Sequence, residues 1–157
     1  MKQPISAVFS AGSRPASRLF AMDQDAPVGM TASVFVAISI TPPLVSVCIK
    51  HGSATWRQLR GLGRIGISFL GASHAATARQ LTQKGGDRFK GLGYETTLDG
   101  AVFLTDAGTW LECSVEQEIA AGDHDIILFR LHRAATAEGI MPLVFHSSDF
   151  HTLTPIK

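Results

Sequence analysis

The chain has 157 residues, enough for one domain with a buried core. Hydrophobic residues make up 45% of it and charged residues 17%, below the roughly 25% of an average protein. The formal net charge is +1 and the lysines and arginines form no basic stripe, which argues against a nucleic-acid-binding protein.

Neither a membrane span nor a secretion signal is expected. The longest apolar stretch, residues 34–49, is interrupted by Ser39, Thr41 and two prolines, and is too short and broken to cross a bilayer. The first fifteen residues lack the long apolar core of a signal peptide. The expected location is therefore the cytoplasm.

The first part of the chain is expected to form strands. Residues 18–22 are a short apolar run that ends in a turn-like segment at 23–27. Residues 28–40 are β-branched and apolar on both faces, which predicts one long central strand. After two prolines, residues 44–49 predict the next strand.

Two helices are expected to interrupt the strands. Ser53 is a good N-cap for a helix through Leu59, and residues 64–70 return to a strand pattern. Ser73 is expected to cap a second helix that runs through Leu81 and ends at the glycines 85–86.

From Tyr94 onward the chain is expected to be all β. Residues 110–119 alternate, with Glu112, Ser114, Glu116 and Glu118 assigned to a solvent-exposed face. A hairpin turn is predicted at 122–125, and further strands at 126–132 and 142–146. Since strands outnumber helices and no repeat or linker appears, we expect a single domain, residues 1–157, built as an antiparallel β-barrel with helical insertions.

Several familiar motifs are absent or misplaced. Residues 61–66 match G-x-G-x-x-G, but a helix precedes them and a strand follows, the reverse of the dinucleotide-binding order. The six histidines lack zinc-site spacing, so no metal is expected, and there is no G-x-S-x-G serine elbow. Cys48 and Cys113 lie in apolar runs and are interpreted as buried thiols.

Two segments suggest a ligand. At residues 50–55 a strand ends, a glycine turns the chain and a helix starts with Ser53 and Thr55 close to Lys50, a pattern suited to an anion. The alternative is an ordinary N-cap beside a solvated lysine. Residues 29–33 are small or hydroxylated, which lets a ligand approach the backbone, although Thr31 and Ser33 also suit a plain strand. If the two segments face one pocket, one would hold a flat ring and the other a phosphate.

Seven separated motifs carry a resemblance to a known family. They are P-V-G-M-T-A-S at 27–33, P-P-L-V at 42–45, S-x-T-W at 53–56, G-D-R-F at 86–89, W-L-E-C at 110–113, G-D-H at 122–124 and P-L-V-F-H at 142–146. In this order, across residues 28–153, they resemble the flavin reductase-like, FMN-binding split-barrel proteins. These proteins include the reductase components of two-component flavin monooxygenases.

The resemblance implies a homodimeric split β-barrel and an NAD(P)H:flavin oxidoreductase that moves hydride from nicotinamide C4 to N5 of FMN or FAD. Reduced flavin would then pass to a separate monooxygenase. The residues it implies are Met30, Thr31, Ala32 and Ser33 along the isoalloxazine, Cys48, Ile49 and Lys50 beneath the ring and ribityl chain, Ser53 and Thr55 on the phosphate, Arg88 and Phe89 over the cofactor, and His124 and His146 beside the nicotinamide.

The chain departs from the family pattern at two places. The first strand is short and contains Arg18, and residues 147–148 are serines where the family often has glycines. The second departure keeps alternatives open: a flavin-binding or electron-carrier protein without turnover, an oxidase of the pyridoxamine-phosphate type, or a barrel that binds no cofactor. His124 and His146 also suit purely structural roles. The sequence distinguishes neither FMN from FAD nor NADH from NADPH.

Overall fold

The structure is a computed structural model that describes residues 16–32, 34–83 and 85–157. A 3-10 turn, Ala72–His74, precedes the second helix. The strands and helices within the described ranges are β1 Ser17–Asp23, β2 Ala26–Ala32, β3 Phe35–Ser39, β4 Leu44–Lys50, α1 Ala54–Leu59, β5 Ile65–Phe69, α2 Ala75–Leu81, β6 Tyr94–Thr96, β7 Val102–Leu104, β8 Thr109–Ala121, β9 His124–Thr136, β10 Leu143–His146 and β11 Asp149–Thr152.

Seven strands form one antiparallel sheet in the order β2-β1-β5-β8-β9-β4-β3. The two edge strands, β2 and β3, follow each other in sequence but are not hydrogen-bonded to each other, so the barrel remains split. Two separate hairpins, β6–β7 and β10–β11, lie outside this sheet. The predicted mainly-β fold with helical insertions is confirmed.

The core divides into two clusters because side chains alternate across the strands. Inside the barrel, the buried side chains include Leu19, Ile67, Leu111 and Phe129, with Trp56 of α1 edge-on to Phe129 at 6.0 Å between ring centres. Outside it, a second cluster lies between β1, β7 and α2 and contains the buried residues Ala16, Phe20, Leu70, Ala78, Leu81, Val102, Leu104 and Leu143. The second cluster attaches the helical insertion to the sheet.

The prediction of one central strand over residues 28–40 is wrong. The structure has two edge strands there, β2 and β3, and each pairs on one side only. One face of each strand packs on the core, through Met30 and Phe35. The other face of β3 is apolar and exposed in this chain, so a segment that is apolar on both faces gave the appearance of a buried strand.

The predicted caps of the second helix are also wrong. Ser73 lies inside the 3-10 turn, and the turn begins instead at Gly71, whose N–H donates to Nδ1 of His74 at 3.0 Å. The helix ends at Thr82, whose hydroxyl donates to the carbonyl of Arg79 at 2.8 Å, before the glycines at 85–86 are reached. Histidine and threonine side chains therefore replace the expected serine and glycine caps.

Glu112 does not lie on a solvent-exposed face as predicted, since it is only 2% exposed. The β6–β7 hairpin covers that part of β8, and Thr97 donates a hydrogen bond to Glu112 Oε1 at 3.3 Å. Arg133 Nε lies 2.5 Å from Glu112 Oε2. Breaks in the β8–β9 register at residues 112–113 and 115–117 further upset a simple alternation.

Most of the other predicted strands, helices and turns are present in the structure. The strand at 44–49, the helix capped by Ser53, the strand at 64–70 and the turn after Gly122 are confirmed. The segment 61–66 covers the turn after α1 and the first two residues of β5, so a helix precedes it and a strand follows, as predicted. Strand β11 was not predicted; it pairs with β10 across Ser147 and Ser148, which both have positive φ, 50° and 64°.

The two cysteines differ in burial, and Arg18 is a buried charged residue. Cys113 is fully buried, and burial raises the pKa of its thiol, whereas Cys48 is half-buried. The Arg18 side chain is 3% exposed and donates to the carbonyls of Ser17 at 3.0 Å and Ala78 at 3.4 Å. Burial lowers the pKa of Arg18 to about 10. This arginine joins the last turn of α2 to β1.

Candidate functional site

The open edge of the sheet brings two predicted segments together. Helix α1 packs against β2, and β2 also approaches β4 across the split. The strand that contains Thr31 therefore lies beside both the end of β4 and the start of α1. Both ligand-like segments therefore border the same region of the split.

Helix α1 is held firmly in this position. Its N-cap Ser53 accepts a hydrogen bond from the backbone N–H of Trp56 at 3.1 Å. Trp56 Nε1 donates to Glu118 Oε1 at 2.8 Å, and Arg60 pairs with the other oxygen of the same carboxylate at 2.5 Å. Gln58 donates to Asp23 at the β1–β2 turn at 2.5 Å. The start of the helix is thereby fixed before any ligand binds.

The strand residues divide between core and surface. Met30, Ala32 and Ile49 pack in the core, so they offer a ligand only their backbone groups. Thr31 is exposed, Lys50 is exposed and Cys48 is half-buried. Ser33 lies outside the described residues. The side chains available to a ligand at this edge are therefore few and polar, which suits a ring that lies against the backbone.

His124 joins this group through strand pairing. It lies directly opposite Lys50 in the β4–β9 pair, and its Nδ1 lies 2.7 Å from Asp123 Oδ1. His51 Nε2 lies 2.8 Å from Asp125 Oδ1. The hydrogen bond from His124, together with its charge, lowers the pKa of Asp123. Histidines paired with carboxylates thus surround Lys50 at the end of the sheet.

The remaining predicted residues lie elsewhere. Phe89 packs edge-on to Phe20 at 5.4 Å in the outer cluster, and the carbonyl of Arg88 accepts a hydrogen bond from Gln80 at 3.0 Å. Because Thr31 and Arg18 are directly opposite in the β1–β2 pair, as are Gly29 and Phe20, Thr31 and Phe20 face the same side of the sheet. Phe89 is therefore on the Thr31 side, without a contact between the two.

His146 is separated from His124 by the architecture. It ends β10 in the outlying hairpin, where its Nδ1 lies 3.2 Å from the hydroxyl of Ser147 and its carbonyl lies 3.1 Å from His151 Nε2. The hairpin rests on α2 through Arg79, whose guanidinium lies 5.6 Å from the centre of the Phe150 ring. Within one chain the two predicted nicotinamide-side histidines belong to different sheets.

Sequence reasoning missed four residues that shape this region. His51, Asp123 and Asp125 form the histidine–carboxylate pairs around Lys50. Gln80 holds the segment that contains Arg88 and Phe89. The adjacent G-D-H letters signalled the first group, but only the β4–β9 register shows that they meet Lys50. Nothing in the local sequence marked Gln80.

The family follows from a direct match. The model of the flavin reductase like domain matches residues 7–154, nearly the whole chain. The chain belongs to this family. The family assignment agrees with the seven motifs and with the split sheet.

Individual members of the flavin reductase family show the same relation. A probable flavin reductase from Rhizobium meliloti (strain 1021) is 32% identical over 105 residues, which cover 67% of this chain but only 34% of that longer protein. The NADH:riboflavin 5'-phosphate oxidoreductase of Streptomyces pristinaespiralis is 35% identical over 130 residues, 81% of this chain and 73% of the relative.

A solved structure extends the likeness to the fold. The styrene monooxygenase flavin reductase from Pseudomonas putida S12 superposes with a TM-score of 0.77 at 27% identity, and the alignment covers 91% of this chain and 92% of the other. In the described ranges of our protein, no helix is long and apolar enough to cross a membrane. Nor do those ranges contain three or more His, Cys, Asp or Glu side chains grouped to hold a metal ion.

Proposed function

We propose that this protein is an NAD(P)H:flavin oxidoreductase that uses FMN or FAD and works as a single-domain reductase. The observation that carries the proposal is the convergence of the exposed Thr31 edge, Lys50 and the Ser53-capped helix at the split of a flavin reductase barrel. When bound, the flavin accepts hydride from the nicotinamide, so the protein has to position the two rings and stabilise charge.

The residues at this edge suit the ring, the ribityl chain and the phosphate of a flavin. Thr31 and the backbone of Met30 and Ala32 border the ring, and Cys48 and Lys50 on β4 lie beside the ribityl chain, with only the backbone of Ile49 available there. The hydroxyls of Ser53 and Thr55, with Lys50 close by, supply donors to the phosphate. Lys50 and His124 are directly opposite in the β4–β9 pair and so lie on the same face of the sheet.

Four other predicted site residues do not belong to β2, β4 or α1. They are Arg88, Phe89, His124 and His146. We propose that Arg88 and Phe89 border the cofactor on the Thr31 side of the sheet. We propose His124 and His146 as residues of the nicotinamide side. Their separation in one chain is compatible with a site completed by a second copy, in which the hairpin of one subunit faces the sheet edge of the other.

A homodimer is proposed from the uncovered face of β3. Val36 and Ile38 of β3 continue the row of the flanking Val34 and Ile40, and in chain order the four side chains are 41%, 46%, 48% and 55% exposed. A row of large aliphatic side chains on an edge strand is a surface that proteins normally cover. A second copy covers it in our proposal, which places both copies of the open edge near the interface.

The substitution Ile38→Lys tests this surface. A lysine in the middle of the apolar row should convert the dimer to a monomer at micromolar concentration, because its charge would be buried without a partner. Sedimentation velocity measures the mass directly. The exposed Ile156→Lys change, outside the β3 row, is the matched control and should leave the mass unchanged. A wild-type monomer would refute the proposed dimer.

The phosphate assignment is tested by the double substitution Ser53→Ala with Thr55→Ala. Loss of hydrogen bonds to a charged group should weaken FMN binding by about 1–3 kcal/mol, or roughly 5- to 150-fold. Fluorescence titration of FMN gives the affinity. Riboflavin, which has no phosphate, is the control ligand and should bind equally to both proteins. An unchanged FMN affinity with an intact fold would show that the phosphate lies elsewhere.

Turnover decides the function itself. The purified protein is mixed with NADH or NADPH and with no flavin, FMN or FAD, and nicotinamide oxidation is followed. Flavin-dependent oxidation is the expected result and names the preferred pair of cofactors. Bound flavin without oxidation would instead favour the flavin-binding or electron-carrier function. We further propose a cytoplasmic location and a separate monooxygenase as the acceptor of reduced flavin, since two relatives are named as reductase subunits of a flavin-dependent monooxygenase.

A further inference from the structure

An open depression of about 540 Å³ lies between α2 and the segment that follows it. It is separate from the Thr31–Lys50 edge. Its lining consists of Ala76, Arg79, Gln80, Gln83, Asp87 and Lys90. It therefore borders the segment that contains the proposed cofactor residues Arg88 and Phe89.

One wall of this depression is set in place by Gln80. Its side-chain amide donates to the carbonyl of Arg88 at 3.0 Å and to the carbonyl of Lys90 at 2.8 Å. Asp87 fixes the same segment by accepting a hydrogen bond from the N–H of Phe89 at 3.0 Å. The segment is thus held against α2 by side chains from both sides, and Lys90 is presented at a defined place.

The charges of the depression favour an anion. Lys90 forms no ion pair within the described ranges, and Arg79 has only a distant partner there, Asp149, at 4.0 Å with both side chains more than 60% exposed. Such an exposed contact contributes little and leaves the guanidinium available. The lining carboxylate, Asp87, is engaged by the backbone of Phe89. Two cations and one carboxylate therefore line the depression, which leaves an excess of positive charge.

Arg79 also connects the depression to the outlying hairpin. Its guanidinium lies 5.6 Å from the centre of the Phe150 ring, and β10 and β11 pair Phe150 with Phe145, next to His146. A ligand held by Arg79 would thus adjoin the hairpin that we place beside the nicotinamide. The residues assigned to the flavin phosphate, Ser53 and Thr55, do not line this depression.

We propose that this depression binds a phosphate group of the nicotinamide dinucleotide, through the guanidinium of Arg79 and the ammonium of Lys90. The proposal rests on the proposed reductase function and adds a second phosphate site to it. Arginine and lysine are the residues that bind phosphate esters in proteins, the first as a fork and the second as a point charge. The flavin phosphate remains assigned to Ser53 and Thr55.

The test is isothermal titration of the flavin-free full chain with 2′,5′-ADP, ADP and FMN. The first probe contains the 2′-phosphate of NADPH, the second the diphosphate common to both dinucleotides, and the third the flavin phosphate. The double variant Arg79→Met with Lys90→Met should lose about tenfold or more of its affinity for an adenine probe and keep its FMN affinity within twofold. Arg130→Met removes an exposed charge on β9 and should change none of the three.

The outcomes separate the possibilities. A selective loss for 2′,5′-ADP identifies the 2′-phosphate as the ligand, and an equal loss for ADP identifies the diphosphate; either supports the proposal. Unchanged affinities for both adenine probes, or no binding of either to the wild-type protein at millimolar concentration, overturn it. A loss confined to FMN also overturns it, because the depression would then hold the flavin phosphate. Failure of the reductase function itself would appear separately, as no flavin-dependent turnover by the wild type.

Discussion

Replacement of Gly66 by alanine is expected to cause a large loss of stability. A Cβ at this position would lie 2.1 Å from the carbonyl oxygen of Val102 and 2.8 Å from the ring of Phe103. The oxygen belongs to the backbone of β7, so relief requires the β6–β7 hairpin to move away from β5. Overpacking of this kind costs about 3 kcal/mol or more.

Thermal unfolding measures this effect. For a domain of this size, about 3 kcal/mol corresponds to a fall in Tm of roughly 6–12 °C. Gly63→Ala is the matched control, because no atom lies within 4 Å of its added Cβ, and its Tm should change little. Equal Tm values for the two variants would show that the Val102 carbonyl of the hairpin does not pack closely against Gly66 of β5.

The second large effect is expected for Arg133→Met. Glu112 is 2% exposed, and its carboxylate is held by Arg133 on one oxygen and by Thr97 on the other. The substitution removes the charge partner and leaves the carboxylate buried with one long hydrogen bond. The Arg133 side chain is itself 44% exposed, but its loss leaves a buried carboxylate without a charge partner, which costs at most roughly 3 kcal/mol.

The same two strands provide an exposed pair for comparison. Arg130 and Glu116 also join β9 to β8, at 2.6 Å, but both side chains are at least a third exposed. Arg130→Met should leave the urea midpoint nearly unchanged, whereas Arg133→Met should lower it clearly. The double variant Glu112→Gln with Arg133→Met should recover part of the loss. If Arg133→Met and Arg130→Met behaved alike, burial of Glu112 would not determine the effect.

Local patterns were sufficient to predict elements whose neighbours lie close in sequence. Ser53 caps α1 through a bond to Trp56, three residues away, and the turn at Gly122 joins strands that pair immediately. The error at Glu112 has the opposite origin. Its burial depends on contacts with Thr97 and Arg133, which lie 15 and 21 residues away, and on a break in register that alternation cannot show.

The site was predictable in the same uneven way. The motifs placed Thr31, Lys50 and Ser53 in one region because β2, β4 and α1 converge there. The strand that borders β4 could not be read from the letters: the β4–β9 register places Lys50 opposite His124. The motifs also could not show that His124 and His146 lie on different sheets. His124 is in the seven-stranded sheet, whereas His146 is in the separate β10–β11 hairpin.

The direct succession of the two edge strands in the chain has a mechanical consequence. Only two residues separate Ala32, the end of β2, from Phe35, the start of β3. Three Cα-to-Cα steps span at most about 11 Å, so this short tether limits how far the edges can part at that end, whatever binds between them. The far ends, Ala26 and Ser39, have no such direct link. Any widening of the split is therefore expected to be smallest beside Ala32 and to increase towards Ala26 and Ser39.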